Sequence, residues 1–209
     1  SDRVINFIQK YLTHVKGSEG GKPIILMDWM VDLIRVIYDT VDEDGLRVIN
    51  MVYIEVPRKN AKTTLLAGLA LYHLLADGEY GPECVVAAAD RSQSTIMQDI
   101  SKQMVRQNEM LQKMTLLRQY DILSADRRGF YKALSSDAGT KHGLNLSFAA
   151  FDELHAWKDR ELYDVLLTSQ VSRKQPLAIA ITTAGTDKSS LCYSVREYAV
   201  KVNAGEIND

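Results

Sequence analysis

The chain has 209 residues, 46% hydrophobic and 25% charged, with a formal net charge of −2; that is the size and balance of one globular α/β domain rather than of a disordered, fibrous or disulfide-dense protein. No apolar run reaches membrane-spanning length and no charged-then-apolar leader opens the sequence, so neither insertion nor secretion is indicated and a cytosolic setting is expected. A near-neutral charge excludes a wholly basic nucleic-acid coat but leaves room for a local basic patch.

In chain order, Val4, Ile5, Phe7, Ile8, Tyr11, Leu12 and Val15 recur at helical spacing until Gly17-Ser18-Glu19-Gly20-Gly21 stops the helix. Trp29, Met30, Leu33, Ile34 and Ile37 mark a second amphipathic helix, followed by a turn at Asp42-Glu43-Asp44-Gly45. Leu46 to Val56 is β-branched and aromatic and predicts a central strand. Thr63 to Ala76 is apolar nearly all round and closes at Asp77-Gly78, which predicts a buried helix. Cys84 to Ala89 predicts a second strand, and a helix is expected over residues 94–107. Alternation through 114–135 predicts a hairpin turning at Arg127-Arg128-Gly129. Leu146 to Phe151 and Leu177 to Ile181 read as buried strands, with helices over 160–170 and 189–202. Strands alternating with helices imply a mostly parallel central sheet flanked by helices. The two cysteines, Cys84 and Cys192, are too few for a disulfide framework or metal cluster and read as reduced and structural. The first residue is Ser1, not methionine, and a processed or excised piece of a longer protein is expected.

The stretch VPRKNAKTT (56–64) lies between a predicted strand and a buried helix. It approaches the phosphate-loop pattern G-x-x-x-x-G-K-[ST], with Val56 and Ala61 at the two glycine positions and Lys62-Thr63 matching. In such a loop the backbone N–H groups and the helix amino terminus face the phosphates, the lysine reaches the β and γ oxygens, and the hydroxyl binds Mg²⁺. Alanine replaces glycine at little cost only where φ is negative, and Ala61 is expected to be tolerated on that basis. An ordinary basic turn is the competing reading. Asp152-Glu153 ends an apolar strand, where burial penalises uncompensated charge. An aspartate there can hold the metal shared with Thr63, and the adjacent glutamate can polarise a water for in-line attack; an exposed acidic helix cap is the alternative. Thr182-Thr183-Ala184-Gly185 ends the next strand on the same carboxyl edge, where ligands of open α/β sheets bind. His155 makes no H-E-x-x-H pair, so zinc is not expected, and His14 and His73 are accounted for by packing or solvation. Arg91 and Gln93 read as surface residues.

Together these segments resemble the ATPase domain of the large terminase subunit of tailed phages, across nearly the whole chain. RKNAKTT (58–64) is similar to that family's deviant Walker A motif, LSFAAFDELHAW (146–157) to its Walker B motif with catalytic glutamate, and ITTAG (181–185) to its coupling motif. The resemblance implies a P-loop NTPase of the additional-strand, catalytic-glutamate (RecA-like) type, with ATP and Mg²⁺ as ligands. By motif position, Arg58, Lys59, Asn60, Ala61, Lys62, Thr63 and Thr64 would surround ATP, with Arg58 a γ-phosphate sensor in cis. Thr63 and Asp152 would hold Mg²⁺, Glu153 would be the catalytic base, and Thr182, Thr183 and Gly185 would couple hydrolysis to movement. Trp29 would stand in the adenine motif, although Met30 replaces the expected glutamine; core packing is the equal alternative. Lys141 stands near the position of a trans-acting arginine finger, with Arg127 and Arg128 as competitors.

The same resemblance implies a motor driving double-stranded DNA into a procapsid in the host cytoplasm during virion assembly. Its partners would be a portal protein, a small terminase subunit and a homo-oligomeric ring, commonly a pentamer, with no membrane; a monomeric state is compatible with an isolated domain. The domain reading is a helical amino-terminal segment (1–45) and a nucleotidase core (46–209), with the carboxyl-terminal nuclease of packaging terminases expected to lie outside the chain. A superfamily 2 helicase fragment would share Lys-Thr, DELH and a threonine-containing third motif but needs a second RecA-like domain. A non-hydrolysing nucleotide-binding scaffold would fit the missing glycines but not the retained Glu153.

Overall fold

A computed structural model describes residues 1–135, 143–185 and 187–207. Two helices, α1 (Asp2–Tyr11) and α2 (Asp28–Asp39), precede strand β1 (Met51–Glu55). Helix α3 (Lys62–Leu75), strand β2 (Glu83–Ala88) and helices α4 (Arg91–Arg106) and α5 (Glu109–Met114) follow. A meander β3 (Thr115–Leu117), β4 (Asp121–Ser124) and β5 (Phe130–Ser135) leads to β6 (Phe148–Asp152). The chain then forms α6 (Glu161–Thr168), β7 (Leu177–Thr182) and α7 (Leu191–Asn203). The sheet order is β1-β7-β6-β2-β5-β4-β3. The first five of these strands are mutually parallel, and β4 and β3 continue the sheet antiparallel.

Period-2 alternation divides the core between the two faces of the sheet. Cys84, Val86, Phe148, Ala150, Leu177, Ile179 and Ile181 face one cluster with α1, α2 and α3. Val85, Ala87, Ala149, Phe151, Ala178 and Ala180 face the other, where Trp157, Tyr163 and Cys192 pack. Because both faces are covered, β2, β6 and β7 read as unbroken apolar runs. Helix α3 lies within the first layer with every residue from Leu65 to Leu74 buried, which explains its lack of a polar stripe. At the amino edge of the sheet, His73 Nδ1 lies 3.1 Å and Arg47 Nη1 3.4 Å from Asp77. Tyr38 Oη lies 2.7 Å from His73 Nε2, and the imidazole stacks on Phe148 with ring centroids 4.5 Å apart. Among the described residues, no helix is long and apolar enough to cross a membrane.

The structure corrects several boundaries. The strand expected over 46–56 begins only at Met51. Asp42 accepts from the N–H groups of Asp44 and Leu46, and Arg47 is bound to Gln175 and Asp77, so 42–47 is a side-chain-braced turn. The first helix stops at Tyr11, because Thr13 bridges Pro23 in an antiparallel turn. Helix α4 starts earlier than expected, capped by the Asp90 carboxylate accepting from the Gln93 N–H. The hairpin at 125–129 is present, joined to an unanticipated edge strand β3.

Candidate functional site

Strands β1, β7 and β6 end together. Glu55 is in register with Thr182, and Asp152 with Ile181, so β7 stands between the strand entering the 56–64 loop and the strand carrying the acidic pair. In parallel strands all three carboxyl ends share one edge, the ligand-binding edge of open α/β sheets.

The loop achieves its curvature without glycine. Lys59 and Ala61 have φ of 69° and 50°, the left-handed region that costs an L-residue about 1–2 kcal/mol. The expectation that Ala61 sits at negative φ is therefore wrong: the loop keeps glycine-like backbone geometry and carries the strain. The Asn60 amide braces the turn by donating to Pro57 O (3.1 Å) and Arg58 O (3.4 Å). Val56, at the other glycine position, donates its N–H to Thr182 O (3.1 Å) in continuation of the sheet, where no positive φ is required.

Ala61 caps α3, so Lys62 is its first residue. The Lys62 side chain is only 7% exposed, with Nζ 3.0 Å from Glu153 Oε1. Glu153 itself is in left-handed conformation (φ 48°) and leads the 3₁₀ turn 154–156. The Asp152 carbonyl is fixed by the Trp157 indole N–H at 3.1 Å. Lys62 Nζ, Asp152 Oδ1 and Glu153 Oε2 are buried atoms without a hydrogen bond; the Lys62–Glu153 contact is an ion pair whose donor is not aligned. Burial, and then the neighbouring Glu153 charge, push Asp152 up to about 6 against the opposing pull of Lys62. Leaving such groups unsatisfied costs about 1–3 kcal/mol each, and more when they are charged. A buried ammonium and a buried carboxylate oxygen without hydrogen bonds could receive, respectively, an anionic oxygen and a cation.

His155 joins this cluster, a placement that the absence of an H-E-x-x-H pair in the sequence does not foreshadow. The 3₁₀ turn folds its ring back onto the end of β7, with Nδ1 2.9 Å from Thr182 Oγ1, 3.4 Å from Thr183 Oγ1 and 3.2 Å from Glu153 Oε2. Its N–H also donates to Thr182 Oγ1 at 3.2 Å. A β-carbon added at Gly185 would lie 3.4 Å from His155 Cβ, so the turn after β7 passes directly over the histidine. The legible signal was a histidine just beyond a strand-end acid pair, facing a strand that ends in two threonines.

Thr63 and Thr64 follow Lys62 in the first turn of α3 and are half-buried, while Arg58 and Lys59 are exposed on the loop. Trp29 packs partly against the core beside the fully buried Met30, its indole N–H directed to Met27 Sδ at 3.4 Å. Arg127 (φ 58°) and Arg128 occupy the hairpin next to the start of β5, which pairs with the start of β2, at the sheet edge opposite Lys62. The Arg128 guanidinium lies over the Tyr80 ring, 5.1 Å from its centroid. Lys141 lies outside the described residues. Among the described residues, no cluster of three or more His, Cys, Asp or Glu side chains forms a metal site.

Comparison with known proteins decides the family. Residues 28–201 match the model of the terminase large subunit, ATPase domain. The chain belongs to this family. It is 29% identical over 205 residues to the terminase large subunit of Enterobacteria phage HK97, covering 96% of this chain and 40% of that protein. To the terminase large subunit of Lactococcus phage p2 it is 26% identical over 164 residues, 74% of this chain and 30% of the relative. The crystal structure of the HK97 large terminase superposes with a TM-score of 0.85 at 28% identity, over 97% of this chain and 41% of that one. The Thermus phage P74-26 large terminase ATPase domain matches with a TM-score of 0.53 at 13% identity, over 78% and 72% of the two chains, a likeness of fold alone. The chain thus spans about two fifths of the HK97 protein. Its sheet is of the RecA-like P-loop type seen in these terminase domains, with the additional strand β7 inserted between the loop strand β1 and the acidic strand β6.

Proposed function

We propose that this domain hydrolyses ATP to drive double-stranded viral DNA into a procapsid, working in the host cytoplasm during virion assembly. The observation that carries the reading is the approach of Lys62 Nζ to Glu153 beside an unsatisfied, buried Asp152 oxygen. In this reading Lys62 binds the β and γ oxygens, and the curled 58–61 backbone and the amino terminus of α3 supply N–H groups and a partial positive charge. Arg58, exposed on the loop, would meet the γ-phosphate. Thr63 and Asp152 would hold Mg²⁺, which when bound neutralises phosphate charge. The donor set fits: one free carboxylate oxygen, one first-turn hydroxyl, and phosphates for the remainder, in keeping with the habit of Mg²⁺ of using few protein ligands. Glu153 accepts a proton from the attacking water, and needs to be released from Lys62 to do so. Trp29 would flank adenine, with Met30 providing no amide for base selection.

A homo-oligomeric ring, a portal protein and a small terminase subunit complete the proposed motor; Lys141, Arg127 and Arg128 remain proposed fingers toward a neighbour. A steady-state phosphate-release assay tests the reading. Glu153→Gln should lower kcat by about 10²- to 10⁴-fold with nucleotide still bound, and Lys62→Ala should abolish both. Equal turnover from all three proteins would refute it.

A further inference from the structure

His155 stands between the groups assigned to chemistry and the strand end assigned to coupling, and its hydrogen-bond arithmetic is unusual. Thr182 Oγ1 donates its single proton to Thr183 O at 2.9 Å; it accepts from the His155 backbone N–H and, weakly, from the Cys192 thiol at 3.9 Å. Toward the imidazole it can therefore only accept. The Glu153 carboxylate, ionised, also only accepts. Two of the three oxygens around His155 Nδ1, Thr182 Oγ1 and Glu153 Oε2, call for a proton on that nitrogen; the third, the Thr183 hydroxyl at 3.4 Å, can donate or accept. One N–H cannot be well aligned to both acceptors.

In this structure the bond goes to Thr182 at 2.9 Å, while Glu153 Oε2, at 3.2 Å, has no hydrogen bond. Glu153 tolerates this because its other oxygen is ion-paired with Lys62. Thr182 is fully buried, so water cannot substitute for the imidazole there.

Building on the nucleotide-site reading above, we infer that His155 is a positioning residue that alternates its Nδ1–H between Thr182 and Glu153 according to where Lys62 is engaged. When Lys62 turns to phosphate, Glu153 loses its partner and takes the His155 N–H. That orients the carboxylate toward water and releases the Thr182-Thr183-Ala184-Gly185 turn. When phosphate leaves, Lys62 returns to Glu153 and the turn is clamped again. The bistable element is one imidazole proton, and both ends of the site bias it.

The test measures nucleotide affinity, single-turnover hydrolysis and backbone hydrogen exchange in a peptide containing Thr182 and Thr183, with and without a non-hydrolysable ATP analogue and Mg²⁺. In the wild type, analogue binding should speed exchange at the turn about tenfold, the size of an ordinary coupling between linked sites. His155→Leu should bind the analogue within about twofold of wild type, lose the nucleotide dependence of exchange, and turn over about 10- to 100-fold more slowly, as expected for a misplaced catalytic group. His155→Asn, which keeps a donor near the Nδ1 position, should recover part of both. Thr182→Val, which removes one acceptor at the same shape, should leave the turn fast-exchanging in both states and serves if His155→Leu does not fold. A wild type that binds analogue without any change at the turn, or a His155→Leu protein that keeps both turnover and nucleotide-dependent exchange, overturns the inference and leaves the site reading standing. A wild type that binds no nucleotide overturns both.

Discussion

Ala61 holds a left-handed backbone with a methyl group attached, and Lys59 does so two residues earlier. The sequence shows the missing glycines but not the sign of φ, because backbone torsion at a single non-glycine residue is imposed by the strand and helix the loop must join. The same is true of Glu153, whose left-handed conformation turns the carboxylate toward Lys62. Residue identities in the site were legible from charge at strand ends; the contacts of His155 were not, since they depend on a 3₁₀ turn of three residues. Ala61→Gly relieves a cost of about 1–2 kcal/mol and adds about 0.4–1 kcal/mol of unfolded-state entropy. It should therefore be neutral or stabilising by up to about 1.5 kcal/mol in urea denaturation, whereas glycine at Ala67 inside α3 should destabilise. Asp77 supplies a pH dependence. Burial alone would raise its pKa, but His73 and then Arg47 outweigh it and hold the carboxyl at about 2, below its ordinary 3.8. The lowered value means that its stabilisation is complete above the unfolded value and is lost as pH falls through about 2. Asp77→Asn should destabilise the fold and flatten the acid limb of a stability-against-pH curve measured by chemical denaturation.

At the scale of elements, the buried strands β2, β6 and β7 and helix α3 were legible because burial on two faces leaves an unmistakable apolar run. Boundaries failed where side chains, rather than periodicity, end an element: the Asp42 turn before β1 and the Asp90 cap of α4. Strand β3 and helix α5 were missed because three- and six-residue elements hold too little pattern to register. The β4–β5 hairpin depends on a close approach that only glycine permits. A β-carbon at Gly129 would lie 2.7 Å from Pro82 Cγ and 2.9 Å from Pro82 O, and the Pro82 carbonyl also accepts the Phe130 N–H. Gly129→Ala should therefore cost about 1–3 kcal/mol, as overpacking does, with increased hydrogen exchange confined to β3, β4 and β5 in the early stages. Unchanged thermal stability would show that the hairpin can shift without penalty.

For the molecule as a whole, the placement of β7 between β1 and β6 brings together segments ninety residues apart in sequence, and puts the Thr182–Gly185 turn in contact with both halves. Alternating strands and helices implied the parallel sheet, but strand order is a property of three-dimensional crossover and was carried only by the family resemblance. In the proposed function, Lys62 and Asp152 act on one Mg²⁺–triphosphate complex. The most direct measurement is the affinity for ATP, by titration calorimetry, of wild type, Lys62→Ala and Asp152→Asn, each with Mg²⁺ and with chelator. Lys62→Ala should weaken binding in both conditions, and chelation should weaken wild type strongly but Asp152→Asn hardly further. Affinities indifferent to Lys62, or a Mg²⁺ dependence that survives intact in Asp152→Asn, would contradict it.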